Sequence, residues 1–459
     1  VRSGLRVVKL LYLSNGYPPR QRAGTEVYTA SIASAFARAG HQVEVVCSGE
    51  WNAGAQPFNG VTHEQESGVA LTRLNLNWTT GPDPNRYLYD NPETEAVLNQ
   101  YLEQSSPDLV HITSCYTLSA SAIRAVKRHR LPLVVTLTDF WFLCPRVTLL
   151  RSDGALCDGR TTPWECLRCL LAQARVYRWP ARVFPEALLE AALTWVSRQP
   201  TLSRRRGFRG LALDVGQRKK RLRSLLEEAD CLIAPSRFVA NVYRENGVQC
   251  DIQVVPYGHD IGWAKDLPSR PVTTPVTFGF IGRITPAKGV HVLTEALRHL
   301  SAALPLQVDV WGDVRQEPDY VRTLPDLDGH HPRLRFRGDF GRDQMAEVFS
   351  QIDILVVPSV WYENSPLVVH EAFAAGKPVI ASKLGGLTEA VTHGVNGLVF
   401  EPGDARALGA CLRELTVHPE LVGRLRDGIP RVKTIQEEVD ALTELYRAVG
   451  TRSQRVDFL

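Results

Sequence analysis

The strongest constraint on this chain is a strand and helix alternation that runs once and then starts again. Val7–Leu13 is an apolar run that ends in the turn-rich Ser14-Asn15-Gly16-Tyr17-Pro18-Pro19. A helical pattern over Glu26–Ala39 stops at Gly40, and His41–Cys47 is the next apolar run. Asp108–Thr113, a helical Ser119–His129, Leu133–Thr138, Ala229–Ala234 and Ile252–Val255 continue the series. Beyond the Pro- and Gly-rich Pro256–Pro275 it restarts. Strand patterns at Val276–Ile281, Gln307–Trp311, Leu334–Phe336, Ile354–Val357, Pro378–Ala381 and Gly397–Phe400 are spaced by helical ones at Gly289–Leu300, Gln344–Gln351, Pro366–Ala375 and Ala405 onward. Short apolar runs separated by helices predict parallel strands covered on both faces. The restart predicts two doubly wound α/β domains, with ligands expected beyond the C-terminal strand ends in a cleft between them.

Composition agrees with this. A chain of 459 residues holds about two to four domains at roughly 100–200 residues each. Its 44% apolar and 22% charged content excludes a disordered chain and a small disulfide scaffold. No run of 18 apolar residues occurs, so no spanning helix is expected. The first residues read as a strand rather than a signal peptide, which makes the cytoplasm the expected compartment. The net charge of +4 conceals an asymmetry: residues 168–223 carry +11. Four of the nine cysteines fall between Cys144 and Cys169, in the same part of the chain.

Residues 358–381 carry the clearest chemistry. Glu363 precedes a predicted helix and Glu371 lies within it. Asn364 or Ser365 is the expected N-cap, with Pro366 at the first helical position. The free N–H groups of Ser365, Leu367 and Val368 then suit an anion such as a diphosphate, while the two carboxylates suit sugar hydroxyls. Upstream, Gly282-Arg283 and Lys288-Gly289 leave one strand and enter a helix. Arg283 can neutralise phosphate as a fork and Lys288 as a point charge.

These stretches, with Tyr17-Pro18-Pro19 through Ala23-Gly24-Thr25-Glu26, Ala234-Pro235-Ser236, Val255-Pro256-Tyr257-Gly258, Gly385-Gly386 and Asn396-Gly397-Leu398-Val399, span nearly the whole chain. Together they resemble the retaining glycosyltransferases of the GT-B fold, in the large family numbered four that includes many bacterial sugar transferases. The resemblance implies two facing Rossmann-like domains. Residues 1–256 would form the N-terminal, acceptor-side domain, with an insertion at about 144–223. Residues 257–275 would link it to a nucleotide-sugar domain at 276–434, and 435–459 would be a helix crossing back. It also implies a nucleoside-diphosphate-sugar donor. Arg283 and Lys288 would meet the diphosphate, Glu363 the donor-sugar hydroxyls and Glu371 the ribose. Gly282 and the backbone from Asn364 through Ser365 and Pro366 to Leu367 would line the same site, and Gly24 would let its loop approach the diphosphate.

The chain departs from the family pattern at Thr136-Leu137-Thr138-Asp139, where relatives often read Thr-x-His-Asp. Thr138 then replaces a histidine near the donor sugar, and Asp139 is either a catalytic-site acid or a structural cap. His111, at a strand end, is read as an acceptor-side residue or a structural core histidine.

Cys144-x12-Cys157-x8-Cys166-x2-Cys169 predicts a structural zinc site with four thiolates. An iron–sulfur cluster, disulfides and free core thiols are the alternatives. Asp326 to Asp328 is the one Asp-x-Asp and is read as a loop. The basic stretch interleaves Tyr177, Trp179, Phe184, Trp195 and Phe208, and Val183, Ala187, Leu188, Ala191 and Ala192 approximate one helical face. That composition fits either peripheral contact with an anionic membrane at its inner face or a solvated insertion.

The reading that unites these features is retaining transfer of a sugar to a glycan, lipid-linked or small-molecule acceptor, with no metal needed for catalysis. A sugar-nucleotide epimerase-like enzyme and a zinc-containing nucleic-acid-binding protein are the competing readings. No nucleic-acid partner is expected under the first. Donor base, sugar and acceptor are not readable from these residues.

Overall fold

The structure, a computed structural model, describes residues 7–51, 54–172, 179–197, 199, 201, 211–268, 271–272, 274–324 and 332–452. The chain divides into two units, Val1–Tyr257 with Ile435–Leu459, and Gly258–Thr434.

Unit 1 is built on eight strands: β1 (Lys9–Ser14), β2 (Gln42–Trp51), β3 (Phe58–Glu66), β4 (Val69–Leu76), β5 (Leu109–Ile112), β6 (Leu133–Thr136), β7 (Cys231–Ala234) and β8 (Ile252–Val254). Their order is β3-β4-β2-β1-β5-β6-β7-β8. Every pairing is parallel except β3 with β4. Leu10–Leu13, Val110, Ile112 and Leu133–Val135 are buried, as helices on both faces of a sheet require. Each such side chain contributes about 1.5–3 kcal/mol of burial. The chain moves outward from β1 to β2 on one side, and β5 continues the sheet on the other. The crevice beyond the ends of β1 and β5 is therefore the topological switch point of the unit.

The last helix, Ile435–Arg452, belongs to this unit. Its Tyr446 stacks on Phe36 at 5.4 Å, and its hydroxyl lies 3.1 Å from that of Tyr12. Its Glu438 accepts the Tyr28 hydroxyl at 2.9 Å.

The β3–β4 hairpin has no counterpart in the sequence reading. Phe58–Glu66 is mostly polar and half exposed, so it lacks the apolar run of a buried strand. The signal was in the turn: Ser67 and Gly68 both have positive φ, 53° and 82°, the requirement of a two-residue type I′ hairpin.

Unit 2 is a six-stranded parallel sheet of β9 (Val276–Ile281), β10 (Leu306–Trp311), β11 (Leu334–Gly338), β12 (Ile354–Val357), β13 (Val379–Ser382) and β14 (Gly397–Phe400). The order β11-β10-β9-β12-β13-β14 places its switch point between β9 and β12. Gly289 holds the loops after these two strands together. Its φ is +74°, and a Cβ there would run into the Pro358 carbonyl oxygen, so no other residue fits. The helix bearing Glu371 is Leu367–Ala374, one residue shorter at its start than the sequence predicts. Pro366 occupies the N-cap with extended backbone (φ −72°, ψ 105°) and no side chain caps the helix, so neither Asn364 nor Ser365 is the cap.

Candidate functional site

In unit 2 the loop after β12 carries Glu363, which is 6% exposed. Three donors converge on its Oε1: Lys288 Nζ at 2.8 Å, Ser359 Oγ at 2.7 Å and Trp361 Nε1 at 2.8 Å. Oε2 takes none of the three. Burial alone would raise this carboxyl, but the Lys288 charge and the three hydrogen bonds outweigh it and hold the group below its ordinary range. The Lys288 ammonium also lies 5.3 Å from the Trp361 ring centre, a cation–π distance. Gly386 N–H donates to the Glu363 carbonyl at 2.6 Å, and a side chain at Gly386 would strike the Asn364 carbonyl, so the loop is gripped from behind.

Glu371 is half-buried in the helix that follows. Desolvation pushes its carboxyl up to about 7, with the exposed Arg342 opposing. The neighbouring His370 stacks on His259 at 4.5 Å, and burial lowers both rings, to about 4 and about 3. Arg283 is exposed on the loop after β9. Gly282, Arg283 and Lys288 thus leave β9, and Glu363, Asn364, Ser365, Pro366 and Leu367 follow β12, so the elements flanking the switch point carry the predicted residues of this unit. The N–H groups of Leu367 and Val368 precede any i−4 carbonyl of the helix, while that of Val369 donates to the Pro366 carbonyl at 3.1 Å. Ser359, Trp361 and Arg342 were missed. Trp361 sits two residues before Glu363 within the same motif stretch, and that proximity was the available signal.

In unit 1, Gly24 opens the helix Gly24–Arg38. Its φ is not positive, and a Cβ there would meet nothing within 4 Å, so neither conformation nor packing demands glycine. Thr138 is buried and donates to the Thr113 carbonyl at 2.7 Å. Asp139 accepts the Trp141 N–H at 2.8 Å, in the manner of a cap, and desolvation pushes its carboxyl up to about 6. His111 lies in the core. Its Nδ1 is 2.6 Å from the Tyr446 hydroxyl and its Nε2 is 2.7 Å from Thr136 Oγ1. Burial lowers its pKa to about 3, so both nitrogens of a neutral ring are engaged in structure and none is left for an acceptor.

The closed zinc site expected of Cys144, Cys157, Cys166 and Cys169 is not formed. The four line one cavity of about 30 Å³ and are free thiols. Tetrahedral zinc needs sulfurs about 2.3 Å from one centre. Among the described residues no group of three or more His, Cys, Asp or Glu is gathered to hold a metal ion. Two of the sulfurs have protein partners instead: Gly159 N–H donates to Cys157 Sγ at 3.4 Å, and Thr161 Oγ1 lies 2.9 Å from Cys166 Sγ. Asp326 and Asp328 lie outside the described residues, as do Tyr177 and Phe208. In the basic stretch Trp179, Val183, Phe184, Leu188 and Trp195 are exposed. Among the described residues no helix is long and apolar enough to cross a membrane.

Comparison with known proteins agrees with this geometry. Residues 23–258 match the family model for a glycosyl transferase 4-like domain, and residues 275–417 match that for glycosyl transferases group 1. A D-inositol 3-phosphate glycosyltransferase of Streptomyces coelicolor is 32% identical over 161 residues, 33% of this chain and 35% of the relative. A glycogen synthase of Mycobacterium tuberculosis is 32% identical over 206 residues, 44% of this chain and 49% of the relative. The chain thus spans between a third and a half of these relatives. Among solved structures, Anabaena HepE in complex with UDP and glucose aligns with a TM-score of 0.62 at 18% identity, covering 95% of this chain and 99% of that one. Sucrose-phosphate synthase of Thermosynechococcus elongatus aligns with a TM-score of 0.63 at 19% identity, covering 97% and 100%. With a family match over residues 23–258, half of its length, the chain belongs to the glycosyl transferase 4-like family, its residues 275–417 match the glycosyl transferases group 1, and it has the GT-B fold.

Proposed function

We propose that this chain moves a glycosyl group from a nucleoside-diphosphate-sugar to a hydroxyl of a glycan, lipid-linked or small-molecule acceptor, with retention at the anomeric carbon. The observation that supports the donor reading most is the Glu363 carboxylate, fixed by three donors on one oxygen at the switch point of unit 2. A carboxylate immobilised in this way presents its other oxygen to sugar hydroxyls without losing side-chain entropy on binding. Arg283, Lys288 and the start of Leu367–Ala374 supply positive charge for a diphosphate. Glu371, about half protonated at neutral pH before binding, takes ribose hydroxyls. Among the similar structures HepE is a complex with UDP and starch synthase IV one with ADP, so both bases belong in the donor panel.

In this reading the bond from the anomeric carbon to the leaving phosphate breaks as the acceptor oxygen attacks on the same face. The acceptor proton passes to the departing phosphate oxygen, so no enzymic base is required. The protein positions both partners and stabilises charge on the diphosphate, with each charged donor lowering the barrier by roughly 3 kcal/mol. The exposed Trp179, Phe184 and Trp195 favour an acceptor presented at a lipid surface. The test is nucleoside-diphosphate release from a panel of UDP-, GDP- and ADP-sugars. Arg283→Ala and Glu363→Gln are expected to lower kcat/KM by about 100-fold each. Full activity in either variant would sink the assignment.

A further inference from the structure

The switch point of unit 1 holds a buried carboxylate that nothing above explains. Glu26 lies in the first turn of Gly24–Arg38 and is 5% exposed. Its Oε1 accepts Asn15 Nδ2 at 2.7 Å. Its Oε2 is buried, and no described residue donates to it. An acceptor oxygen left so costs about 1–3 kcal/mol, more for a charged group. Asn15 follows β1 directly, and Ser114 follows β5, so both flank the crevice where the strand order reverses. Asp139, beyond β6, completes the rim, with Ser114 Oγ 3.5 Å from its Oδ2. The negative charge of Glu26 reaches Asp139, adding to the desolvation that raises the Asp139 carboxyl. The loop after β5 is itself held in strain, with positive φ at Thr117 (70°) and Ser119 (65°), neither of them glycine.

We propose that Glu26 and Asp139 form the hydroxyl-binding pair for the acceptor, receiving neighbouring hydroxyls of a neutral polyol or sugar ring. The assignment rests on the transferase reading above and narrows it. Two carboxylates at one crevice accept hydrogen bonds from hydroxyls and repel phosphate, so an anionic group on the acceptor must lie elsewhere. Glu26 acts here by binding and positioning. The transferred proton still goes to the leaving phosphate.

The test uses the full chain and saturation-transfer NMR with glucose, mannose, inositol and their monophosphates, beside calorimetry with UDP, GDP and ADP. At least one neutral polyol is expected to bind, and to lose 10-fold or more in Glu26→Ala and less in Glu26→Gln, with nucleotide binding unchanged. Glu26→Gln is expected to melt no lower than the parent chain, because it removes a buried charge. Asp139→Asn serves as the second variant and is expected to weaken the same ligand. Polyol binding that survives Glu26→Ala and Asp139→Asn, or binding of phosphorylated probes alone, overturns the proposal. Failure of the parent chain to bind any nucleoside diphosphate overturns instead the donor reading beneath it.

Discussion

Lys288 and Glu363, distant in sequence, meet at 2.8 Å through Nζ and Oε1, with side-chain exposures of 24% and 8%. The pair locks the loop after β9 to the loop after β12. Removing one partner leaves a charge with little solvent, whereas removing both does not. Lys288→Met is expected to cost about 1–3 kcal/mol, and Glu363→Gln a similar amount. The double variant should cost less than the sum. Urea melts of the four proteins give the coupling directly. Because the Glu363 carboxyl is held below its ordinary value, the stability it confers is present above pH 4.5. It is lost as pH falls through the lowered value, so parent and Glu363→Gln should converge in acid.

Glu371 has the opposite sign. Its carboxyl ionises at about 7 in the folded chain against an ordinary 4.5. The folded state is therefore penalised progressively as pH rises from 4.5 to 7, and carries the full penalty above that. Glu371→Gln should melt higher than the parent chain at pH 8, by roughly 1–3 kcal/mol, and equally at pH 4. A melting difference independent of pH would contradict the desolvated carboxyl.

Two glycines should separate stability from function. Gly289→Ala meets the Pro358 carbonyl and a positive φ, and should cost at least about 2 kcal/mol in a denaturant melt. Gly24→Ala meets neither, and should change stability by no more than about 0.5 kcal/mol. If the diphosphate approaches Gly24, this variant still loses transfer activity 10-fold or more. Unchanged activity would reduce Gly24 to a helix-start residue.

His111→Ala should act through the fold alone. It strips partners from Tyr446 and Thr136 and leaves a cavity, a loss of roughly 2–4 kcal/mol. At a temperature where the variant stays folded, its KM for acceptor should match that of the parent chain. A selective rise in acceptor KM would restore the acceptor-side role.

Much of the fold was readable because the strands are buried on both faces. Val276–Ile281, Ile354–Val357 and Gly397–Phe400 appear in the sequence with the boundaries they have in the structure. The hairpin β3–β4 was lost because an edge pair with one polar face carries no apolar run. At the site, local motifs named Glu363 and Glu371, but spacing is silent on partners. Nothing in the order of residues says that Ser359 and Trp361 donate to the same oxygen as Lys288. The cysteines show the limit most clearly. Spacing brought all four to one cavity, while the closeness a metal requires depends on loop geometry that spacing does not encode. His111 was equally ambiguous, since a strand-end histidine and a core histidine read alike until Tyr446 arrives from the far end of the chain.

β6 and β7 are adjacent in the sheet, yet residues 137–230 lie between them. For a loop already this long, closure entropy rises only with the logarithm of length, about 0.6 kcal/mol per doubling. A change of length within that segment therefore barely taxes the closure of β6 against β7, provided the parts that pack on the sheet are kept, such as Asp230, whose Oδ2 accepts the Leu133 N–H, and Asp214, which accepts the Tyr89 hydroxyl. The crossover is a place where length can change at little entropic cost. Chains that share this sheet can be expected to diverge most in length there.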